Sequence, residues 1–193
     1  MFQNITPITK NIIILNVIVF ILAMLIPQSY QYLAAFFPTS PYFKSWQIIT
    51  HMFMHGGFMH IAFNMLTFAS FGPVLERFLG EKKFVILYFL SGLGAFALFN
   101  LWEYYQLYQD AQPLIVEGLQ FSDILKGDFE KFPVRLEGNA QNIVNILSTP
   151  MVGASGAIFG VIAAFSLLYP NAEMFIMFIP FPIKAKVLFP ITI

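Results

Sequence analysis

Residues 55–75 read HGGFMHIAFNMLTFASFGPVL. From Phe58 onward this stretch has no charged side chain, and its length is close to the roughly 20 apolar residues that a helix needs to cross a bilayer. Two polar side chains, His60 and Asn64, interrupt the apolar run four residues apart. On a helix this spacing places both side chains on one face, one turn apart. The stretch therefore predicts a membrane-spanning helix over residues 58–75 that carries a polar pair.

The composition of the whole chain supports a membrane protein. Of 193 residues, 58% are hydrophobic and only 10% are charged, and the mean hydropathy is +0.73. An ordinary soluble domain has about 25% charged residues. Ten basic residues balance ten acidic ones, so the chain lacks the positive field that a nucleic-acid partner would require. The absence of cysteine excludes disulfides, thiolate catalysis and cysteine metal sites.

Three further apolar runs are long enough to be membrane spans. They cover residues 11–26, 84–102 and 151–169. Pro27 follows the first run and ends it. The first run lacks a small-residue cleavage site, so we expect a retained anchor and not a removed signal peptide. The predicted fold class is therefore an all-α, polytopic transmembrane helical bundle with four complete spans.

A fifth apolar run begins at Met174 and is interrupted by two prolines and two lysines before it resumes at Val187. Residues 187–193 would rise only about 10 Å as a helix, which is a third of the hydrocarbon thickness. The sequence therefore predicts the start of a fifth span and a chain that is truncated at its C-terminus.

The distribution of basic residues predicts the orientation of the bundle. Six basic residues flank the spans on the side of the N-terminus, and four lie in the two longer connections on the other side. Because cytoplasmic loops are enriched in lysine and arginine, we expect the N-terminus in the cytoplasm. Residues 1–193 form one predicted domain, within which residues 103–150, with seven of the ten acidic residues, form an external connecting segment. Within this segment, residues 121–132 could form a short amphipathic helix on the membrane surface.

Ser155 is the third polar residue expected inside a span, and it lies in the sequence Gly153-Ala154-Ser155-Gly156. Taken alone, Gly156 and Gly160 form a small-xxx-small pair, which is typical of a helix packing face. In the predicted orientation, however, Ser155 lies at the same depth as His60 and Asn64. Acyl transfer requires a nucleophilic hydroxyl and preorganised donors for the developing oxyanion. The three residues together therefore indicate a candidate site for acyl transfer.

These residues resemble motifs of the rhomboid family of intramembrane serine proteases. The stretch that contains His55, His60 and Asn64 is similar to the family's H-x-x-x-x-H-x-x-x-N, and residues 153–156 are similar to its G-x-S-G. Residues 76–80, with Glu76, Arg77 and Gly80, also resemble the family's turn after the second span.

The resemblance implies an intramembrane serine endopeptidase that uses a Ser-His dyad. It implies that Ser155 is the nucleophile and that His60, Asn64 and the backbone N–H of Ser155 stabilise the oxyanion. The remaining site residues that it implies line the active site: Gly153, Ala154, Gly156 and Phe159. Neither a cofactor nor a metal is expected. The implied partners are the transmembrane segments of protein substrates in the lipid bilayer, and the expected location is a bacterial inner membrane.

Two departures from the family pattern bear on function. The family's first external loop carries a Trp-Arg pair, whereas Trp46 is followed here by Gln47. The family takes its general base from a histidine in a sixth span, whereas the three histidines of this chain are His51, His55 and His60. Because a serine hydroxyl is a weak nucleophile without an adjacent base, these 193 residues alone are expected to be inactive.

Two alternative functions remain open from the sequence. A non-catalytic rhomboid-like pseudoprotease would keep the fold and bind membrane clients without cutting them. A metal transporter or metalloprotease could use His51 and His55, whose separation of four residues also suits metal ligands, but the chain has no H-E-x-x-H motif. For His51 and His55 the favoured interpretation is structural, with imidazoles bonded to loop carbonyls.

Overall fold

The computed structural model describes residues 5–132, 138–174 and 182–187. Within these ranges the chain forms eight α-helices of four or more residues, a helical segment over residues 185–187, two short 3-10 turns and one pair of two-residue strands. The α-helices are α1 (Pro7–Leu25), α2 (Ser29–Leu33), α3 (Gln47–Thr50), α4 (Phe58–Leu79), α5 (Glu81–Val116), α6 (Phe121–Lys126), α7 (Asn139–Ser148) and α8 (Ser155–Leu168). The 3-10 turns cover His51–Phe53 and Phe129–Lys131.

Three helices of the described part are long and apolar enough to cross a membrane: α1, α4 and α5. They correspond to the first three predicted spans, and the all-α membrane bundle is confirmed. Helix α8 is apolar but has only 14 residues, so it is shorter than the predicted span over residues 151–169. The difference arises because Met151 pairs with Ala35 in an isolated antiparallel bridge and Gly153 has a φ of +123°, so neither residue is helical.

The fifth predicted span lies mostly outside the described residues. The part that is described forms a short antiparallel pair, β1 (Glu173–Met174) and β2 (Ile183–Lys184), and a helical segment over residues 185–187.

One buried carboxylate joins the start of α1 to the end of α4. Glu76 is 3% exposed and accepts hydrogen bonds from the backbone N–H groups of Ile8 and Thr9, at 2.9 and 2.8 Å, and from the hydroxyls of Thr6 and Thr9. These N–H groups belong to the first turn of α1 and have no acceptor within the helix. The negative charge also interacts favourably with the positive end of the helix dipole. Glu76 therefore acts as an N-terminal cap supplied by another helix.

We expect the substitution Glu76→Gln to lower the stability of the protein by about 1–3 kcal/mol, because an amide cannot accept all four bonds and would leave a buried N–H without a partner. Thermal unfolding in detergent micelles would measure the loss. Glu117→Gln, at an exposed residue that follows α5, removes the same charge and is the matched control. Equal unfolding midpoints for the two variants would contradict this role of Glu76.

The main core is formed where α4, α5 and α8 meet. Its largest fully buried side chains include Phe68 and Leu75 of α4 and Phe84 and Tyr88 of α5. Helices α5 and α8 approach closely through small residues. A Cβ atom on Gly156 would lie 2.4 Å from the Cβ atom of Ala95, and one on Gly160 would lie 1.9 Å from the hydroxyl oxygen of Ser91. The small-xxx-small pair is therefore a packing face, as its spacing predicts.

Helix α5 continues 14 residues beyond the predicted end of the third span at Trp102. Its last part packs against α6 and α7 around a second apolar cluster, which contains Leu107, Ala111, Ile124, Ile143 and Leu147. The predicted short helix over residues 121–132 is confirmed in part, as α6 and the 3-10 turn that follows it. The predicted connecting segment, residues 103–150, therefore has a core of its own.

Candidate functional site

The candidate site is built on the loop between α2 and α4, and Gln47 joins the parts of this loop. Its side chain is fully buried. Its Oε1 atom accepts the N–H of Lys44 at 3.0 Å and that of Phe36 at 3.5 Å, while its Nε2 atom donates to the carbonyl of Gln31 at 3.1 Å. Gln47 stands where the family pattern has arginine. Here a neutral amide makes the hydrogen bonds that hold the loop.

His51 connects this loop to the start of α8. Its Nδ1 atom donates to the backbone carbonyl of Gln47 at 2.8 Å, and its own carbonyl accepts the N–H of Gly153 at 2.9 Å. The imidazole is 1% exposed and lies against the ring of Phe96, with centroids 5.4 Å apart. The prediction that His51 bonds a loop carbonyl is therefore confirmed, and the result is that Gly153 has a fixed position.

Ser155 and His60 meet at Gly153. A Cβ atom on Gly153 would lie 2.9 Å from both Nε2 and Cε1 of His60 and 3.6 Å from the Oγ atom of Ser155. The φ of +123° at Gly153 is in the region that favours glycine, and the missing side chain leaves the space between the imidazole and the hydroxyl open. Ser155 is the first residue of α8 and His60 is the third residue of α4, so the two helix beginnings face the same point.

The backbone fixes the direction in which His60 can donate. The N–H of Gly56 donates to Nδ1 of His60 at 3.4 Å, so Nδ1 is an acceptor and the proton of the neutral ring is on Nε2. Nε2 is the nitrogen that lies beside Gly153 and Ser155. His60 can therefore donate a hydrogen bond into the space next to the Ser155 hydroxyl. Among the described residues, no hydrogen bond joins that hydroxyl to a histidine nitrogen.

Asn64 is held by His55. Its Nδ2 atom donates to Nε2 of His55 at 3.0 Å, and both side chains are buried. A side-chain amide has two N–H bonds, so one remains for another acceptor. The rings of His55 and His60 make an edge contact with centroids 5.0 Å apart. His55 therefore holds Asn64 and also contacts His60. No spacing or motif in the sequence predicts this role of His55.

Because of His55, we expect the free energy of unfolding to depend on pH. Burial, and then the neighbouring His60 ring, lowers the pKa of His55 to about 4, so the unfolded chain binds its proton more readily than the folded protein does. The free energy of unfolding should therefore fall as the pH is lowered from about 6.5 to about 4, by at most about 3 kcal/mol. His55→Gln keeps an acceptor for Asn64 without titrating, so its unfolding midpoint in micelles should fall less over this range. Parallel curves for the two proteins would contradict this explanation.

The residues predicted to line the site have different surroundings. Ala154 is fully buried beside Ser155. Gly156 packs against α5, where its missing side chain makes room for Ala95. Phe159 is 41% exposed, and within the described ranges no ring contact joins it to His60. Only Ser155, His60 and Gly153 are brought together directly, with Asn64 one turn beyond His60.

The arrangement of the histidines gives no support to the metal alternative. His51 uses Nδ1 for the carbonyl of Gln47, and His55 uses Nε2 for Asn64, so both nitrogens are engaged within the protein. In the part of the chain that the structure describes, no group of three or more His, Asp or Glu side chains is placed to hold a metal ion.

Comparison with known proteins agrees with the motifs. The family model for the Rhomboid domain matches residues 42–119, which include the loop with Gln47, all three histidines and Asn64. Rhomboid protein 1, mitochondrial, of Saccharomyces cerevisiae is 32% identical over 142 residues, which is 74% of this chain and 30% of the yeast protein. The chain belongs to the rhomboid family.

Two bacterial relatives of this rhomboid chain carry the word protease in their names. The putative rhomboid protease YdcA of Bacillus subtilis is 42% identical over 48 residues, covering 25% of this chain and 24% of YdcA. The rhomboid protease GlpG of Klebsiella pneumoniae subsp. pneumoniae is 33% identical over 93 residues, covering 47% of this chain and 34% of GlpG. The matched part of the chain spans about a third or less of each of these three relatives.

The rhomboid family is of the intramembrane protease type and also has inactive members. Family membership and the apolar helices α1, α4 and α5 establish an integral membrane protein. The relatives come from bacterial and mitochondrial sources, so they do not identify the membrane in which this rhomboid chain resides.

Proposed function

We propose that the complete protein is an intramembrane serine endopeptidase that cleaves transmembrane segments of membrane proteins, with Ser155 as its nucleophile. The observation that carries the proposal is the meeting of Ser155 Oγ and His60 Nε2 on the same side of Gly153. A nucleophile beside a fixed N–H donor is the arrangement that acyl transfer requires.

In the proposed reaction, Ser155 Oγ attacks the carbonyl carbon of the scissile peptide bond and its proton passes to a general base. The negative charge that develops on the carbonyl oxygen accepts hydrogen bonds from Nε2–H of His60 and from the free N–H of Asn64. The backbone N–H of Ser155, at the first position of α8, is a third donor. The positive end of the helix dipole lies at the same point and also stabilises the negative charge. Collapse of the intermediate then releases the amine and leaves an acyl group on Ser155.

The general base is the part of the dyad that this sequence does not supply. His51 and His55 are committed to Gln47 and Asn64, and His60 would have to leave its donor role to accept the serine proton. The family resemblance assigns the base to a histidine in a sixth span, and the proposal adopts this assignment for the complete protein.

The proposal also includes the orientation and the route of the substrate. The N-terminus lies in the cytoplasm, so Ser155 lies near the outer face of the membrane, and a bacterial inner membrane is the proposed location. The substrate's transmembrane segment enters laterally from the lipid and unwinds near its outer end, which presents a peptide carbonyl to Ser155. No cofactor or metal takes part, because the hydroxyl, the base and the donors suffice for acyl transfer.

Covalent labelling tests the nucleophile without a known substrate. An alkyl fluorophosphonate added to the complete protein should phosphonylate Ser155, with loss of fluoride and transfer of the serine proton to the base. Peptide mass spectrometry should find the adduct on Ser155 and not on Ser166, a buried serine of the same helix. The Ser155→Ala variant should remain unlabelled.

The same experiment separates the protease from a pseudoprotease. The pseudoprotease remains a candidate because none of the three histidines is free to act as the base. A folded protein that gives no adduct at Ser155, at concentrations that label a known serine hydrolase, would contradict the protease and favour a protein that binds membrane clients without cutting them.

A further inference from the structure

A groove of about 690 Å³ runs between the outer part of α5 and helix α7. Its α5 wall is one face of the helix, on which Phe99, Glu103, Gln106 and Asp110 follow at spacings of three or four residues. The facing wall is one side of α7, and the opposite side of α7 packs into the second apolar cluster. The groove is therefore supported by a core and by two helices.

The chemistry of the groove favours a basic peptide. Its two charged residues, Glu103 and Asp110, are both acidic, and none of its twelve lining residues is lysine or arginine. The rings of Trp102 and Tyr105 lie 5.7 Å apart along the same helix, and aromatic faces attract cations. Side-chain amides from both walls can donate to and accept from a peptide backbone.

The groove is lined by residues that lie close in the chain to those of the candidate active site. Two of its lining residues, Thr149 and Pro150, immediately precede the bridge and the glycine that lead into Ser155. On the α5 side, Phe99 lies one turn beyond Ala95, the residue that packs against Gly156. This placement puts the groove beside the segment that leads into Ser155, where a peptide that leaves Ser155 away from the membrane core can reach it.

We propose that this groove is an exosite for the segment that adjoins the substrate's transmembrane helix on the Ser155 side, and that it selects segments with lysine or arginine. The inference rests on the proposed function and adds a substrate class to it. Glu103 and Asp110 are seven residues apart, or about 10 Å along the helix axis. A peptide in the polyproline II conformation has three residues per turn and rises about 3.1 Å per residue, so basic residues three apart lie on one side and match the spacing of the two carboxylates.

Peptide binding tests the exosite independently of catalysis. The complete protein with Ser155→Ala, in neutral detergent micelles, is titrated into fluorescein-labelled 12-residue peptides that carry either two lysines or two glutamates three residues apart. The lysine peptide should bind about 10-fold more tightly, which is what two partly exposed ion pairs can supply. Glu103→Gln with Asp110→Asn should remove this preference.

The control removes two acidic charges from the same segment but outside the groove. Glu117 and Glu130 are exposed, and Glu117→Gln with Glu130→Gln should change the affinity for the lysine peptide less than twofold. Equal losses in the two double variants, or equal binding of the two peptides, would overturn the exosite. If Glu103→Gln with Asp110→Asn separates a dimer of this chain and leaves the peptide affinity unchanged, the groove is instead a contact between copies.

This outcome is distinguishable from failure of the proposed function. Binding is measured without the nucleophile, so a protein that gives no fluorophosphonate adduct can still show the lysine preference. Conversely, an adduct at Ser155 without a lysine preference would reject the exosite and leave the proposed protease intact.

Discussion

The substitution Ser155→Ala is expected to reduce cleavage of a transmembrane substrate by the complete protein at least about 10³-fold, because nucleophilic catalysis loses its attacking atom. Only the oxyanion donors would remain. They can stabilise the oxyanion that forms when water attacks the peptide bond, but no acyl-enzyme can form. The hydroxyl has no hydrogen bond to a histidine in the described part of the chain, so its loss should cost little stability. Cleavage of a single-span test substrate in proteoliposomes measures the effect.

Ser166→Ala is the matched control for this prediction. Ser166 is 5% exposed on the same helix, three turns from Ser155, and its substitution should leave turnover within about twofold, as expected for a residue that does not contact the reacting atoms. Unfolding midpoints of both variants should stay close to that of the natural protein. Undiminished cleavage by the Ser155→Ala variant would remove Ser155 from the mechanism.

The substitution Asn64→Ala should lower kcat by about 10²-fold and change KM little, because a donor to the oxyanion acts in the transition state and not in the ground state. The amide is well placed for this role, since one N–H is held by His55 Nε2 at 3.0 Å and the other has no acceptor among the residues that the structure describes. Initial rates over a range of substrate concentrations in proteoliposomes would separate the two parameters.

Asn100→Ala provides the comparison for this second prediction. Asn100 also lies in a membrane helix and donates to a carbonyl of its own helix, that of Phe96, at 2.7 Å, but it is not among the residues around Ser155. Its substitution should leave kcat within about twofold. If Asn64→Ala raised KM and left kcat unchanged, Asn64 would be a substrate contact and not an oxyanion donor.

Some of the fold that the sequence did not predict had a local signal. The third predicted span ends at Trp102 because Glu103 begins a polar segment, yet α5 continues to Val116. Leu107, Ala111 and Leu114 recur at spacings of four and three and are buried, which is the pattern of an amphipathic helix. Ala140, Ile143 and Leu147 of α7 have the same pattern. A search for helical periodicity in the connecting segment would have found both helices.

Other parts of the site had no local signal. His55 is nine residues from Asn64, and Gln47 bonds to groups up to 16 residues away, so neither partner follows from helical spacing. The bond from Gly153 to the carbonyl of His51 joins residues about a hundred positions apart. A buried polar group needs a partner, but the sequence does not say which one.

The sequence by itself determined the family, the positions of the first three spans and the placement of His60 and Asn64 one turn apart on one helix. These features depend on local quantities, namely the length of an apolar run and the spacing of side chains on one helix. Only the tertiary structure decided that Gly153 joins His60 to Ser155, that Gly156 packs against α5 and that α5 and α7 enclose a groove. These features depend on how helices far apart in the chain approach each other, and that is set by packing over the whole bundle.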